Sequence, residues 1–143
     1  MGIRDLFSRK TAGLRSVSSP SAEFSTPRSA IEGILTAHPN VGQNEDWITF
    51  MAENGEQCAR VEVTGDQVNF CKKRIDLAAV LAAAGLSALA HRVRPGGRKH
   101  DDLTLWTVEA PTLDERINIV DACLTKALGM GNSYRLVAEY VQA

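Results

Sequence analysis

The chain has 143 residues, of which 44% are hydrophobic and 23% are charged, and its formal net charge is −1. This length suits a single domain with a buried core, and the composition is typical of globular proteins. A net charge so close to zero gives no overall field that would attract nucleic acid or an acidic membrane. No apolar run approaches the roughly 18 residues of a membrane span, and the N-terminus lacks the apolar core of a signal peptide. We therefore expect a cytoplasmic protein without a transmembrane segment.

The N-terminal stretch has the composition of a tail. Residues 1–28 hold five Lys and Arg against two Asp and Glu, and five serines fall within residues 16–26, as in disordered linkers. The first ten residues mix apolar and basic side chains, which fits either a weak membrane contact or a frayed terminus. Leu6 stands where N-myristoylation requires Ser or Thr. We predict a flexible basic, Ser-rich tail over 1–26 and a single α+β domain over 27–143.

The first convincing helix follows this tail. Thr26 is a good N-cap and Pro27 suits the first helical position, while Pro39 ends the apolar pattern. A second, alanine-rich helix is predicted over Leu77–Ala84.

Three antiparallel strands are predicted between residues 47 and 73. They are joined by two turn sequences, Asn54-Gly55 and Gly65-Asp66. Both pairs tolerate the positive φ that a two-residue hairpin loop demands. The sequence therefore predicts a three-strand meander as the centre of the domain.

The two turns also predict the register of the meander. Two-residue loops place Ile48, Val61 and Phe70 in one apolar row, because residues directly opposite one another share a face. One face is then apolar throughout and should meet the core. The other face mixes apolar, polar and charged residues, namely Trp47, Thr49, Met51, Cys58, Arg60, Glu62, Asn69 and Cys71. This mixed face is open to several interpretations: a solvated surface, or a surface partly covered by the tail, by a second copy of the chain or by a partner.

A second hairpin is predicted after the second helix, with arms at about 88–94 and 102–109 and a loop around Pro95-Gly96-Gly97. The second arm is apolar on both faces, which favours a strand inside the sheet. Thr112 then opens the longest helix with a capping box, and the apolar spacing carries this helix to about Leu128. The last segment alternates like a strand but also fits a helix, and we favour a strand.

The loop of the second hairpin is basic. Its candidate anion-binding side chains are Arg92, Arg94, Arg98 and Lys99. Such a cluster favours phosphate or nucleic acid, although two aspartates follow at once and no aromatic residue is interleaved for base stacking. Anion or nucleic-acid binding through this loop is therefore the alternative function, and a solvated hairpin tip is the simpler explanation.

Little in the sequence indicates chemistry. The three cysteines, Cys58, Cys71 and Cys123, are an odd number without close spacing, which suits reduced, buried thiols in a cytoplasm. Neither metal-ligand spacing nor a nucleophile, phosphate or dinucleotide motif occurs. We therefore expect no catalytic residues, no metal and no cofactor, and we do not expect an enzyme.

The predicted order is α-βββ-α-ββ-α, which resembles the class I type III secretion chaperones and their relatives, the YbjN-like and TY-Chap families. The resemblance extends to local features: Trp47-Ile48-Thr49-Phe50 at the start of the meander, Arg60-Val61-Glu62-Val63 in its second strand, the turn after Leu81 and the helix ending at Gly129. It implies a bacterial, chaperone-like, non-catalytic domain, often dimeric, that holds a partner protein on an exposed sheet or groove. The residues of the mixed face that we expect to meet this partner, or a second copy of the chain, are Trp47, Thr49, Met51 and Arg60.

Overall fold

The structure, a computed structural model, describes residues 15–73, 76–86, 93–98, 103–131 and 133–142. Seven strands in these ranges form one antiparallel sheet in the order β1-β7-β2-β3-β4-β6-β5. The strands are β1 (Ser16–Ser19), β2 (Asp46–Asn54), β3 (Gln57–Thr64), β4 (Gln67–Lys73), β5 (Val93–Arg98), β6 (Leu103–Glu109) and β7 (Arg135–Gln142). The helices are α1 (Pro27–Ala37), α2 (Leu77–Ala83) and α3 (Leu113–Ala122), and α3 continues as a π-helical turn, Cys123–Ala127. The α+β class is confirmed, and β7 is the strand expected at the C-terminal end.

The first turn of the meander differs from the prediction. The pairing of Asn54 with Gln57 makes Gly55-Glu56 the two-residue loop, and Gly55 has the positive φ (+61°) that a type II′ turn needs at its first position. Ile48 therefore pairs with Val63 instead of Val61, so the predicted register is wrong by two residues. Since a shift of two residues keeps every side chain on its face, the predicted faces are unaffected.

The second turn, Gly65-Asp66, lies where predicted, and the expected pair of Val63 and Val68 is present. The pairing of β3 with β4 ends after Glu62 and Asn69, although both strands continue and are fully described. The predicted pair of Val61 and Phe70 is therefore wrong. Beyond these pairs β3 stays with β2 and β4 stays with β6, so the two strands diverge towards the open end of their hairpin.

The second hairpin is formed by β5 and β6, but its turn is not at Pro95-Gly96-Gly97. These residues lie inside β5, at a register shift between Pro95 and Arg98. Because β5 is an edge strand, it tolerates both a proline and a bulge. The second arm, β6, is an inner strand between β4 and β5, as its two apolar faces predict. The first arm was expected to start near residue 88, and residues 87–92 lie outside the described part of the chain.

The helices begin at the predicted caps. The Thr26 hydroxyl accepts a hydrogen bond from the Ser29 N–H (3.2 Å), and the Thr112 hydroxyl accepts one from the Glu115 N–H (3.2 Å). The π-helical turn after α3 was not expected. Within it the Leu128 N–H bonds five residues back, to the carbonyl of Cys123.

The three helices of the described residues share one core with one face of the sheet, which we call the inner face. Along the inner strands, the buried residues of this face alternate with residues of the opposite face, which we call the outer face. Fully buried members of this core include Ile31, Ile34, Ile48, Phe50, Val61, Val63, Leu81, Ile119, Leu124 and Leu136. The inner face of the sheet is therefore covered by the core, and the outer face is the candidate functional surface.

Ser16–Ser19, within the stretch expected to be a tail, form the edge strand β1. This strand pairs along β7, from Ser16 with Glu139 to Ser19 with Leu136, and Val17 is buried at 4% exposure. The tail prediction for residues 1–14 falls outside the described residues.

Candidate functional site: the outer face of the sheet

Alternate residues of β2 form the centre of the outer face. Trp47 and Met51 are half-buried and Thr49 lies between them. In β7, the neighbour of β2, Val141 pairs with Trp47 and Val137 pairs with Met51, and both valines are half-buried. We call Trp47, Met51, Val137 and Val141 the apolar block. These four incompletely buried apolar residues form two cross-strand pairs on the face away from the core.

Thr49 is buried at the centre of this block. Only 6% of the residue is exposed, and its Oγ1 has no hydrogen-bond partner among the described residues. The residues paired with it on either side are Glu62 and Glu139. A buried hydroxyl without a partner carries a desolvation cost, and this one lies between the two glutamates at the centre of the block.

Arg60 extends the site towards β3. It pairs directly with Met51 and is exposed, and its guanidinium lies 2.9 Å from a carboxylate oxygen of Glu62. An exposed pair of this kind contributes about 0–1 kcal/mol, so either charge can change partner at little cost. The structure thus brings Trp47, Thr49, Met51 and Arg60 together on one face. It adds the valines of β7, which the sequence did not assign because this depends on the placement of β7 beside β2.

The alternative, basic site is only partly within the described chain. Arg94 and Arg98 belong to β5, the edge strand at the far end of the sheet from β1. Arg92 and Lys99 lie outside the described residues. Four strand steps of about 4.8 Å separate β5 from β2, so Arg94 and Arg98 lie on a strand remote from the apolar block.

A polar cluster around the buried Asp46 holds the end of β7 in place. The Tyr140 hydroxyl donates to Asp46 Oδ2, while the N–H groups of Gly42 and Asn44 donate to Oδ1 at 2.6 and 3.3 Å. The ring of His38 stacks on that of Tyr140 with centroids 3.9 Å apart. Since both carboxylate oxygens are engaged, the cluster acts as a clasp between β7 and the loop before β2.

The electrostatics of the clasp agree with this role. Burial acts to raise the pKa of Asp46, but hydrogen bonds from Tyr140 and backbone N–H groups outweigh it, so the pKa lies below its ordinary value. Burial, followed by the charge of Arg15, lowers the pKa of His38, and Asp46 opposes this shift. The clasp is therefore an ionised carboxylate beside a neutral imidazole at pH 7. Only faint signs of the clasp are visible in the sequence, an Asp at a strand start and a Tyr in an alternating segment.

The thiols differ from the expectation of three buried cysteines. Cys123 is fully buried, and desolvation raises its pKa strongly. Cys58 and Cys71 are exposed on the outer face. No group of three or more His, Cys, Asp or Glu suited to a metal occurs among the described residues.

Comparison with protein-family models, curated proteins and solved structures gives no match. The resemblance to secretion chaperones and YbjN-like proteins therefore stays a prediction. Within the described chain, no helix combines the length and apolarity needed to cross a bilayer.

Proposed function

We propose that this chain is a non-catalytic protein-binding domain, of chaperone-like type, that holds a partner polypeptide on the outer face of its sheet. The observation that carries the proposal is the apolar block, whose four residues adjoin across β2 and β7 on the face opposite the core. A second copy of the chain is one partner with the required chemistry, since an outer face of this kind can pair with itself.

The binding energy would come from completing the burial of the block. Full burial of a large apolar side chain contributes about 1.5–3 kcal/mol, so finishing a half-buried one contributes about 1 kcal/mol. Arg60 and Glu62 lie beside the block as charges that fix the orientation of the partner.

The test compares Trp47→Asp with Thr36→Asp, a matched control at an exposed position of α1. Light scattering measures the mass of each protein, and affinity capture followed by reconstitution with each purified partner measures binding. We expect Trp47→Asp to lose the partner or to change a dimer into a monomer, while Thr36→Asp behaves like the wild type. Equal binding and equal mass for all three proteins, with unchanged circular dichroism, would remove the block from consideration.

A further inference from the structure

The sheet is open between β3 and β4. Their pairing is confined to residues 62–64 and 67–69, while residues 57–61 and 70–73 continue as strands that pair only on their other sides. In an antiparallel ladder, alternate residues direct their backbone groups to opposite neighbours. The bond from the Ala110 N–H to the Asp66 carbonyl (2.6 Å) shows that the even-numbered residues of β4 point towards β6.

It follows which backbone groups face the opening. In β3 they belong to Cys58 and Arg60, because Asn54 and Gln57 flank a two-residue loop and bond to each other, so the odd-numbered residues of β3 point towards β2. In β4 they belong to Cys71, because the even-numbered residues, such as Phe70, point towards β6. These N–H and C=O groups have strand geometry but no partner strand among the described residues. Backbone donors and acceptors need partners, and here they are left to solvent or to a ligand.

A cavity of about 340 Å³ lies at this opening. Its rim carries outer-face residues, including Arg60, Glu62 and the two exposed thiols, and its floor includes Ala59, Phe70 and Leu128. Leu128 follows the π-helical turn on the helix side of the sheet. Because residues of both faces line one cavity, the opening passes through the plane of the sheet. Its volume lies within the range of about 300–1,000 Å³ typical of ligand pockets.

We propose that this opening binds an extended polypeptide segment of the partner protein, which pairs its main chain with the free strand edges and inserts one apolar side chain towards Leu128. The proposal rests on the proposed function and deepens it by naming the binding site and the extended conformation of the partner segment. An extended main chain offers donors and acceptors at the spacing of the free strand edges. The apolar floor suits an aliphatic side chain, and the rim charges Arg60 and Glu62 already pair with each other, so an anionic ligand is not what this site selects.

The open edge is tested first in the free protein by amide hydrogen exchange. The amides of Arg60 and Cys71 should exchange at least about tenfold faster than those of Ala59 and Phe70, which bond to β2 and β6. Equally slow exchange at all four positions would show that β3 and β4 are paired there, and the site would not exist.

The second test uses a synthetic extended peptide, acetyl-Lys-Thr-Val-Leu-Val-Thr-Lys-amide, and a control in which both valines are replaced by proline. The first peptide should slow exchange at Arg60 and Cys71 by about tenfold or more at saturation. It should also slow alkylation of Cys58 and Cys71, with the buried Cys123 as the internal reference. Leu105, another residue of the cavity wall, supplies the blocking variant Leu105→Glu, which should abolish this protection. Equal protection by the proline peptide, or protection that survives Leu105→Glu, would overturn the proposal.

Trp47→Asp separates the two proposals, because Trp47 is not among the residues lining the cavity. If the peptide protects the opening in this variant while partner binding is unchanged, the peptide site at the opening is confirmed and the proposed role of the apolar block in binding is refuted. If Trp47→Asp abolishes partner binding while the peptide gives no protection in any protein, the role of the apolar block is supported and the peptide site at the opening is refuted.

Discussion

The two tyrosines of the chain allow the same atom to be removed in two opposite environments. The Tyr140 hydroxyl donates to the Asp46 carboxylate, whose residue is 4% exposed. The Tyr134 hydroxyl is buried and has no hydrogen-bond partner among the described residues. Burial, together with the nearby charge of Asp121, raises the pKa of Tyr134 to about 12. Phenylalanine at either position deletes one oxygen and little else.

The magnitudes follow from what each hydroxyl does. A hydrogen bond to a charged group contributes about 1.5–3 kcal/mol, so Tyr140→Phe should lower the free energy of unfolding by about 2 kcal/mol. Two backbone donors remain on Asp46, which keeps the loss at this level. Tyr134→Phe removes a group that was desolvated without compensation, so it should leave stability unchanged or raise it by about 1 kcal/mol.

Urea unfolding at pH 7, with the slopes compared for each variant, measures both values. The pH dependence is a second check. Because hydrogen bonding holds the pKa of Asp46 below its ordinary 3.8, its stabilisation is present above that pH and is lost as the pH falls through the folded-state pKa. The difference between the wild type and Tyr140→Phe should therefore shrink below pH 3.8. Equal stability of the two variants at pH 7, or a difference that does not change in acid, would refute this account of the clasp.

Two further matched pairs test the fold around the site. A Cβ on Gly42, whose φ is +98°, would clash with the backbone nitrogen of Gly65, so Gly42→Ala should lower the free energy of unfolding by about 3 kcal/mol or more. A Cβ on Gly55 would meet no atom within 4 Å, so Gly55→Ala should lower it by only about 1 kcal/mol, because of the positive φ. Thermal melts of both variants measure the difference, and equal melting temperatures would contradict the close approach. Arg60→Pro and Glu62→Pro both break one surface ion pair, but only Glu62 is paired with β4. Glu62→Pro should therefore be the less stable by about 1–3 kcal/mol in urea unfolding, and the reverse order would argue against an open edge at Arg60.

The sequence predicted the face of the sheet on which each side chain lies better than it predicted which residues pair across the strands. Alternation along β2 and β3 assigned the mixed face correctly, because a register shift of two residues moves a side chain along the face without turning it over. The choice between Asn54-Gly55 and Gly55-Glu56 was not decided by composition, since both loops contain a glycine able to adopt positive φ. The predicted pairing of Ile48 with Val61 was wrong for that reason.

Features that depend on distant partners were not predictable. Strand β1 is four residues of mostly serine, and its partner β7 lies more than a hundred residues away. The bulge that takes Pro95 into β5 depends on that strand being at the edge of the sheet. The candidate site divides in the same way: Trp47, Thr49, Met51 and Arg60 were placed on one face in advance, but the β7 valines and the open edge require the strand order.

The position of β7 has a consequence for how the protein is made. Strand β7 follows β1 by more than a hundred residues and is inserted between β1 and β2. Until residue 142 is available, β1 has no strand beside it, and β2 carries an exposed edge able to pair with other chains. The pairing of β1, β7 and β2 therefore depends on contacts of very high sequence separation, which makes folding slow relative to local helix formation. A nascent chain that lacks the eight residues of β7 should be aggregation-prone, and the insertion of this strand should remove the exposed edge.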